Sequence, residues 1–172
     1  LSSDVKRAVI LMGPRRVGKT VMLWQLIEHA IKEGLAPDRI MFASIDTPLY
    51  SGIPLERLIE LFESITKHAP NANRLVIFDE IQYLKDWERH LKVLTDRLPN
   101  TRFIASGSAA AALKLKSQES GAGRFTDYFL PPLSFAEFLA FRGNEQQLIK
   151  PGGFGHGLRY ETPDIEALNN EF

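Results

Sequence analysis

Ala8-Val9-Ile10-Leu11-Met12-Gly13-Pro14-Arg15-Arg16-Val17-Gly18-Lys19-Thr20-Val21 runs from an apolar strand-like stretch, through a glycine-bounded turn, into a helical pattern. Residues 13 to 20 fit the spacing G-x-x-x-x-G-K-[ST]. A polyphosphate needs to be wrapped by backbone N–H groups, which Gly13 and Gly18 permit because they carry no Cβ. Lys19 adds a mobile positive charge for the β and γ phosphates. Thr20 opens the helix, so its hydroxyl can bind Mg²⁺ while the helix N-terminus stabilises the anion. Pro14, Arg15, Arg16, Val17 and Val21 complete the loop that would touch the nucleotide. A random chain of this length shows such a match on the order of once in a hundred, and here it also falls between a strand and a helix. For Arg15 and Arg16 two readings stand: a solvated turn, or a role in steering phosphate or coupling to a partner.

Outward from this loop, five short apolar runs alternate with longer helical patterns, as expected of a parallel sheet covered by helices. The helix after the loop runs from about Lys19 to Glu33, with Val21, Trp24, Ile27, Ala30 and Ile31 on one face. Ile40 to Ile45 is a second run. Pro54 opens a helix striped by Leu55, Leu58, Ile59, Phe62 and Ile65. Leu75 to Phe78 is a third run, followed by Trp87, Leu91, Leu94 and Leu98 at helical spacing. Arg102 to Ser106 is a fourth run, leading into an alanine-rich helix, and a fifth lies around Tyr128 to Leu130. Ser134 and Glu137 form a capping box for a helix over Phe135 to Phe141. Residues 144 to 161 read as loop, and Thr162-Pro163-Asp164 as a new helix start.

The third run ends in Asp79 and Glu80. A buried parallel strand delivers its C-terminal end to the crevice where ligands sit in open α/β sheets. Asp79 is placed to hold Mg²⁺ opposite Thr20, commonly through a water. Glu80 is the candidate base for the attacking water, since neighbouring strand residues point to opposite sides. A hydrolase needs such a base, whereas a kinase acceptor brings its own nucleophile. The guanine-selecting [NT]-K-x-D pattern is absent, and so is any Leu-Ser-Gly-Gly-Gln string. What survives is an ATPase with an additional strand between its two nucleotide motifs.

The fourth run closes on Ala105-Ser106-Gly107-Ser108. Either serine can contact the γ phosphate or the attacking water as a sensor, or cap the following helix; capping is the stronger reading for Ser106, and the two are balanced for Ser108. Arg124, after Gly121-Ala122-Gly123, is either a surface arginine or a guanidinium that supplies transition-state charge, in cis or to a neighbouring subunit. His29, His68, His90 and His156 are scattered, without metal-ligand spacing. Trp24 and Trp87 read as core residues.

The 172 residues, 44% hydrophobic, are enough for one main core. Basic and acidic residues balance at 21 each, so bulk charge provides no pull toward nucleic acid or an anionic membrane. The first forty residues hold seven basic and four acidic side chains, an excess expected to surround the phosphate loop. Absence of cysteine rules out disulfides and a Cys nucleophile and agrees with a reducing cytoplasm. No apolar run approaches a membrane span. The chain begins at Leu1 and ends at Phe172 within a helical pattern, so it reads as part of a longer protein, with a core over 1–143 and, over 144–172, a linker and the first helix of a truncated C-terminal region.

Taken together, Gly-Pro-Arg-Arg-Val-Gly-Lys-Thr at 13 to 20, Phe-Asp-Glu-Ile-Gln at 78 to 82, Asp-Trp-Glu at 86 to 88, Ser-Gly-Ser at 106 to 108, Gly-Arg at 123 to 124 and Pro-Leu-Ser-Phe-Ala-Glu-Phe-Leu at 132 to 139 resemble the prokaryotic AAA-type ATPases whose P-loop core precedes a C-terminal nuclease-like domain of unknown function. The resemblance spans roughly residues 8 to 142. It implies a three-layer P-loop fold with a five-stranded parallel sheet in the order 5-1-4-3-2. It also implies Lys19 and Thr20 on ATP and Mg²⁺, Asp79 and Glu80 as the acidic pair, and Ser108 and Arg124 as sensor-like residues. The partners expected are ATP and ADP and the C-terminal domain of the same chain, with a homo-oligomer left open, since oligomeric state is not written in the sequence. Nucleic acid would be reached only through the missing region. The leading expectation is Mg-dependent ATP hydrolysis that rearranges an attached or partner domain. A nucleotide-dependent signalling or nucleic-acid-associated switch with negligible turnover is the alternative, and a P-loop kinase the third reading.

Overall fold

The architecture is that of a computed structural model in which residues 7–69, 71–108, 123–143, 150–152 and 159–161 are described. The chain divides into two compact units, Leu1–Pro131 and Pro132–Phe172. The division falls at the Pro131-Pro132 pair.

The first unit runs β1 (Ala8–Gly13), α1 (Lys19–Lys32), β2 (Ile40–Ser44), α2 (Leu55–Thr66), β3 (Arg74–Asp79), α3 (Trp87–Arg97), β4 (Thr101–Ser108) and β5 (Phe125–Phe129). Its five strands form one parallel sheet in the order β2-β3-β4-β1-β5. This is the α/β P-loop arrangement expected, with β4 inserted between the phosphate-loop strand and the strand that ends in Asp79. Strand alternation sorts the apolar residues into two layers. Ala8, Ile10, Met12, Val76, Phe78, Phe103 and Ala105 pack with Leu55, Leu58 and Ile59 of α2 and Trp87, Leu91 and Leu94 of α3. Leu11, Leu75, Ile77 and Ile104 pack with Leu23, Ile27 and Ala30 of α1. All six residues of β3 are buried, which explains its unbroken apolar reading.

Several helix positions differ from the expected stripes. Trp87 is a core residue, but Trp24 is 52% exposed and stacks on Phe42 of the edge strand β2 with ring centroids 4.5 Å apart. Val21, Ile31 and Ile65 are also exposed. The face of α1 that meets the sheet is centred on Leu23 rather than Val21 and Trp24, because an edge strand leaves part of its covering helix beyond the sheet. β5 begins at Phe125, before the apolar run near Tyr128, since its extent is set by pairing with β1 from Ala8↔Phe125 to Met12↔Phe129. The alanine-rich helix expected after Ser108 lies outside the described residues.

In the second unit, α4 (Phe135–Phe141) carries the expected capping box: Glu137 N donates to Ser134 Oγ at 3.3 Å, and Ser134 N donates to the Glu137 carboxylate at 2.8 Å. Within 144–161, read as loop, β6 (Lys150–Gly152) pairs antiparallel with β7 (Arg159–Glu161). Three-residue strands around a glycine-rich segment carry no alternating pattern by which to foresee them. The expected helix start at Thr162 lies outside the described residues. Among those residues no helix is long and apolar enough to cross a membrane.

Candidate nucleotide site

The C-terminal ends of β1, β3 and β4 meet at one edge of the sheet, where Met12 pairs with Gly107 and Gly13 with Ser108, while Phe78 pairs with Ala105. The loop leaving β1 makes its turn with Arg16 at φ 67° and Gly18 at φ 97°, both left-handed. For Gly18 the missing Cβ permits this conformation. Gly13 is different: it lies in the strand, and a Cβ there would collide with the backbone carbonyl of Leu130, just past β5. Its first requirement is thus close approach of chain to chain beneath the loop.

Lys19 is buried, and its ammonium donates to the carbonyls of Gly13 at 3.2 Å and Pro14 at 2.9 Å. The loop's own backbone therefore holds the amine over the cradle. Arg15 and Arg16 are exposed. Of the early basic residues, Arg15, Arg16 and Lys19 are at the loop, but Arg7 and Arg39 are not. Those two line a cavity of about 880 Å³ between α1 and the starts of the strands, at the opposite edge of the sheet. The basic excess of the first forty residues is consequently split between two places, a correction to the expectation that it surrounds the loop.

Asp79 is 3% exposed, and both its oxygens are engaged. Thr20 Oγ1 donates to Oδ2 at 2.7 Å, across 59 positions of sequence. Ser106 Oγ and the backbone N–H of Glu80, the latter at 3.1 Å, donate to Oδ1. Ser106 is fully buried within β4 and accepts a second contact from Glu80 N at 3.1 Å. It is not a helix cap, the stronger of its two sequence readings. Its hydroxyl orients Asp79 and fixes the backbone where the chain turns into Glu80.

That turn is left-handed, with Glu80 at φ 52° and ψ 44°, a conformation that costs a side-chain-bearing residue about 1–2 kcal/mol. Asp79 and Glu80 therefore diverge because the backbone turns over at Glu80, not because neighbouring strand residues alternate. Gln82, in the 3-10 turn Ile81–Tyr83, donates from Nε2 to Glu80 Oε2 and accepts at Oε1 from Ser108 N at 3.2 Å. Sequence patterning does not single out Gln82. Its only signal was position two after the acidic pair, within the Phe-Asp-Glu-Ile-Gln string.

A magnesium ion fits this donor set. Mg²⁺ takes oxygen ligands at about 2.0–2.1 Å in an octahedron, so two adjacent ligand oxygens lie about 2.9 Å apart, and it completes its shell with water and substrate phosphates. The 2.7 Å between Thr20 Oγ1 and Asp79 Oδ2 is close to that spacing. Among the described residues no group of three or more His, Cys, Asp and Glu side chains forms a metal cage. A site shared with phosphate oxygens requires none.

Arg124 is brought to none of these residues. Its carbonyl accepts from Ala8 N at 2.9 Å, at the start of β1, and its Nε pairs with Asp96 of α3 at 2.7 Å. β1 separates Arg124 from the phosphate loop by five residue steps, about 17 Å. The backbone of Arg124 thus lies at the opposite end of β1 from the phosphate loop.

The glycine-bounded loop, the buried lysine and the Thr20–Asp79 contact across a five-stranded parallel sheet define a nucleotide-binding P-loop domain. The model of the AAA domain family matches residues 5–139, and the chain belongs to that family. It is 30% identical over 145 residues to an uncharacterized protein of Methanocaldococcus jannaschii, covering 84% of this chain and 30% of that protein. An uncharacterized protein of Haemophilus influenzae is 26% identical over 171 residues, covering 92% and 42% respectively. The chain thus spans less than half the length of these relatives. Among solved structures, the Aeropyrum pernix ORC1 protein in complex with DNA shares the fold at TM-score 0.53 and 12% identity, over 81% of this chain and 44% of that one.

Proposed function

We propose that this chain is the ATP-hydrolysing core of a longer protein, and that its turnover rearranges a domain attached to it. The observation that carries this reading is the hydrogen bond from Thr20 to Asp79, with Glu80 turned out beside it. It joins the phosphate loop to the acidic strand end in the arrangement that phosphoryl chemistry uses.

Gly13 through Val21 would wrap the phosphates, and Lys19 would exchange its loop carbonyls for β and γ phosphate oxygens. Thr20 and Asp79 would hold Mg²⁺, Asp79 directly or through a water. When bound, the ion supplies charge neutralisation between the phosphates. Glu80 would orient and deprotonate the attacking water, and Ser108, at the end of β4, would contact the γ phosphate or that water. Arg124 would supply transition-state charge to a neighbouring copy. We place any nucleic-acid contact in the part of the longer protein that lies outside this chain.

The test is steady-state hydrolysis and nucleotide binding in the full-length protein. Glu80→Gln is expected to keep Mg-ATP affinity and lower kcat by about 10²–10⁴-fold, whereas Lys19→Ala weakens binding itself. Unchanged turnover in Glu80→Gln removes Glu80 as the base. Transfer of phosphate to a small acceptor in preference to water points to a kinase instead. Slow single-turnover hydrolysis with a large nucleotide-dependent change in partner affinity points to a switch.

A further inference from the structure

The side chain of Gln82 bridges two parts of the site that the backbone leaves unconnected. Glu80 Oε2 is an acceptor and the Ser108 N–H is a donor, so one amide orientation satisfies both: Nε2 toward Glu80, Oε1 toward Ser108. The root of the side chain is fixed, since Ile81 and Leu84 on either side of the turn are buried in the core beneath α3. Its far end is fixed as well, because Ser108 is paired in register with Gly13, the first residue of the phosphate loop. A continuous path therefore runs from the Glu80 carboxylate through Gln82 to the end of β4 and on to the loop.

The geometry points to Gln82 as a positioning residue for hydrolysis, an inference that rests on Glu80 being the base. Glutamate has three rotatable side-chain bonds, and Glu80 is half-buried at the mouth of the site. A charge-assisted bond to one carboxylate oxygen selects one rotamer and leaves Oε1 to take the proton of the attacking water. Because the same amide holds the Ser108 N–H, the carboxylate is held in register with the end of β4. Gln82 thereby couples the serine at the sensor position to the catalytic carboxylate. Its contribution to the fold is small: β4 is already held by β1 on one side and β3 on the other, and the turn by Ile81 and Leu84.

The experiment compares Gln82→Ala and Gln82→Glu in the full-length protein, alone and combined with Glu80→Gln. Gln82→Glu keeps the length and the acceptor for Ser108 N–H but removes the donor to Glu80. Both single variants are expected to lose about 10–10²-fold in kcat, the scale for a misplaced catalytic group, with KM for ATP and Tm near wild type. In the Glu80→Gln background, substitution at Gln82 is expected to cause no further loss, since the carboxylate it positions is gone. The inference is overturned if hydrolysis depends on Glu80 but not on Gln82. It is equally overturned if the Gln82 loss persists undiminished in the Glu80→Gln background, or if it appears as a rise in KM with a fall in Tm, as for a structural strut. A wild-type protein whose turnover does not depend on Glu80 overturns the reading of Glu80 itself, and this inference with it.

Discussion

At the scale of single residues, the chemistry separates by what backbone and side chain each contribute. Gly13 shows this. Its place in the phosphate pattern was legible because the motif fixes its spacing, but the close approach of the Leu130 carbonyl was not. That contact is made across the sheet, between residues more than a hundred positions apart. Gly13→Ala must push two backbones apart, and overpacking of this kind costs about 1–3 kcal/mol. Thermal unfolding of the nucleotide-free protein is therefore expected to shift to lower temperature, and an unchanged Tm means that the loop relaxes around the added methyl. Lys19, Thr20, Asp79 and Glu80 were legible for the same reason as Gly13: two short strings at strand ends place them. Ser106 and Gln82 were not, because Ser106 bonds to Asp79 and Glu80 27 and 26 positions away, and Gln82 is tied to Ser108 26 positions away, contacts that exist only once β3 and β4 are in register.

At the scale of elements, burial decided what periodicity revealed. β3 is covered on both faces and reads as an uninterrupted apolar run. β5, at the sheet edge, exposes Asp127, Tyr128 and Phe129, and its start was correspondingly misplaced. Trp24 misled because an aromatic residue at core spacing can equally cap an edge strand. The capping box on α4 was fully legible, since it is local: Ser134 and Glu137 are three apart. Its charge has a consequence for pH. The backbone N–H of Ser134, and then its hydroxyl, donate to Glu137 and hold its carboxyl below the usual 4.5. A carboxylate lowered on folding contributes stability above its unfolded value, and that contribution is lost as pH falls through the folded one. The amide resonance of Glu137 is thus expected to titrate with a midpoint below 4.5, accompanied by fraying of the first turn of α4. A midpoint at or above 4.5 means that the box does not favour the ionised form in solution.

At the scale of the whole molecule, the candidate site occupies the edge of the sheet where β1, β3 and β4 end. Sheet order was legible through the resemblance, not through periodicity, which orders no strands. It places Arg124 at the start of β1, about 17 Å from the phosphate loop of the same chain. The role proposed for Arg124 therefore requires a second copy whose phosphate loop meets the start of β1. Its present partner is no obstacle. Both side chains of the Arg124–Asp96 pair are more than two-fifths exposed, and such pairs contribute only about 0–1 kcal/mol. Arg124→Ala is expected to bind Mg-ATP normally and hydrolyse it about 10³–10⁵-fold more slowly, the range established for arginine fingers. Mixing it with Lys19→Ala should restore part of the turnover. The first variant keeps an intact phosphate loop, the second keeps an intact Arg124, and an interface between them contains both. Wild-type turnover per chain should also rise with protein concentration through the assembly range. If the two variants remain as inactive together as apart, while wild-type turnover per chain is independent of concentration, Arg124 is a surface arginine held by Asp96 and the catalytic charge comes from elsewhere.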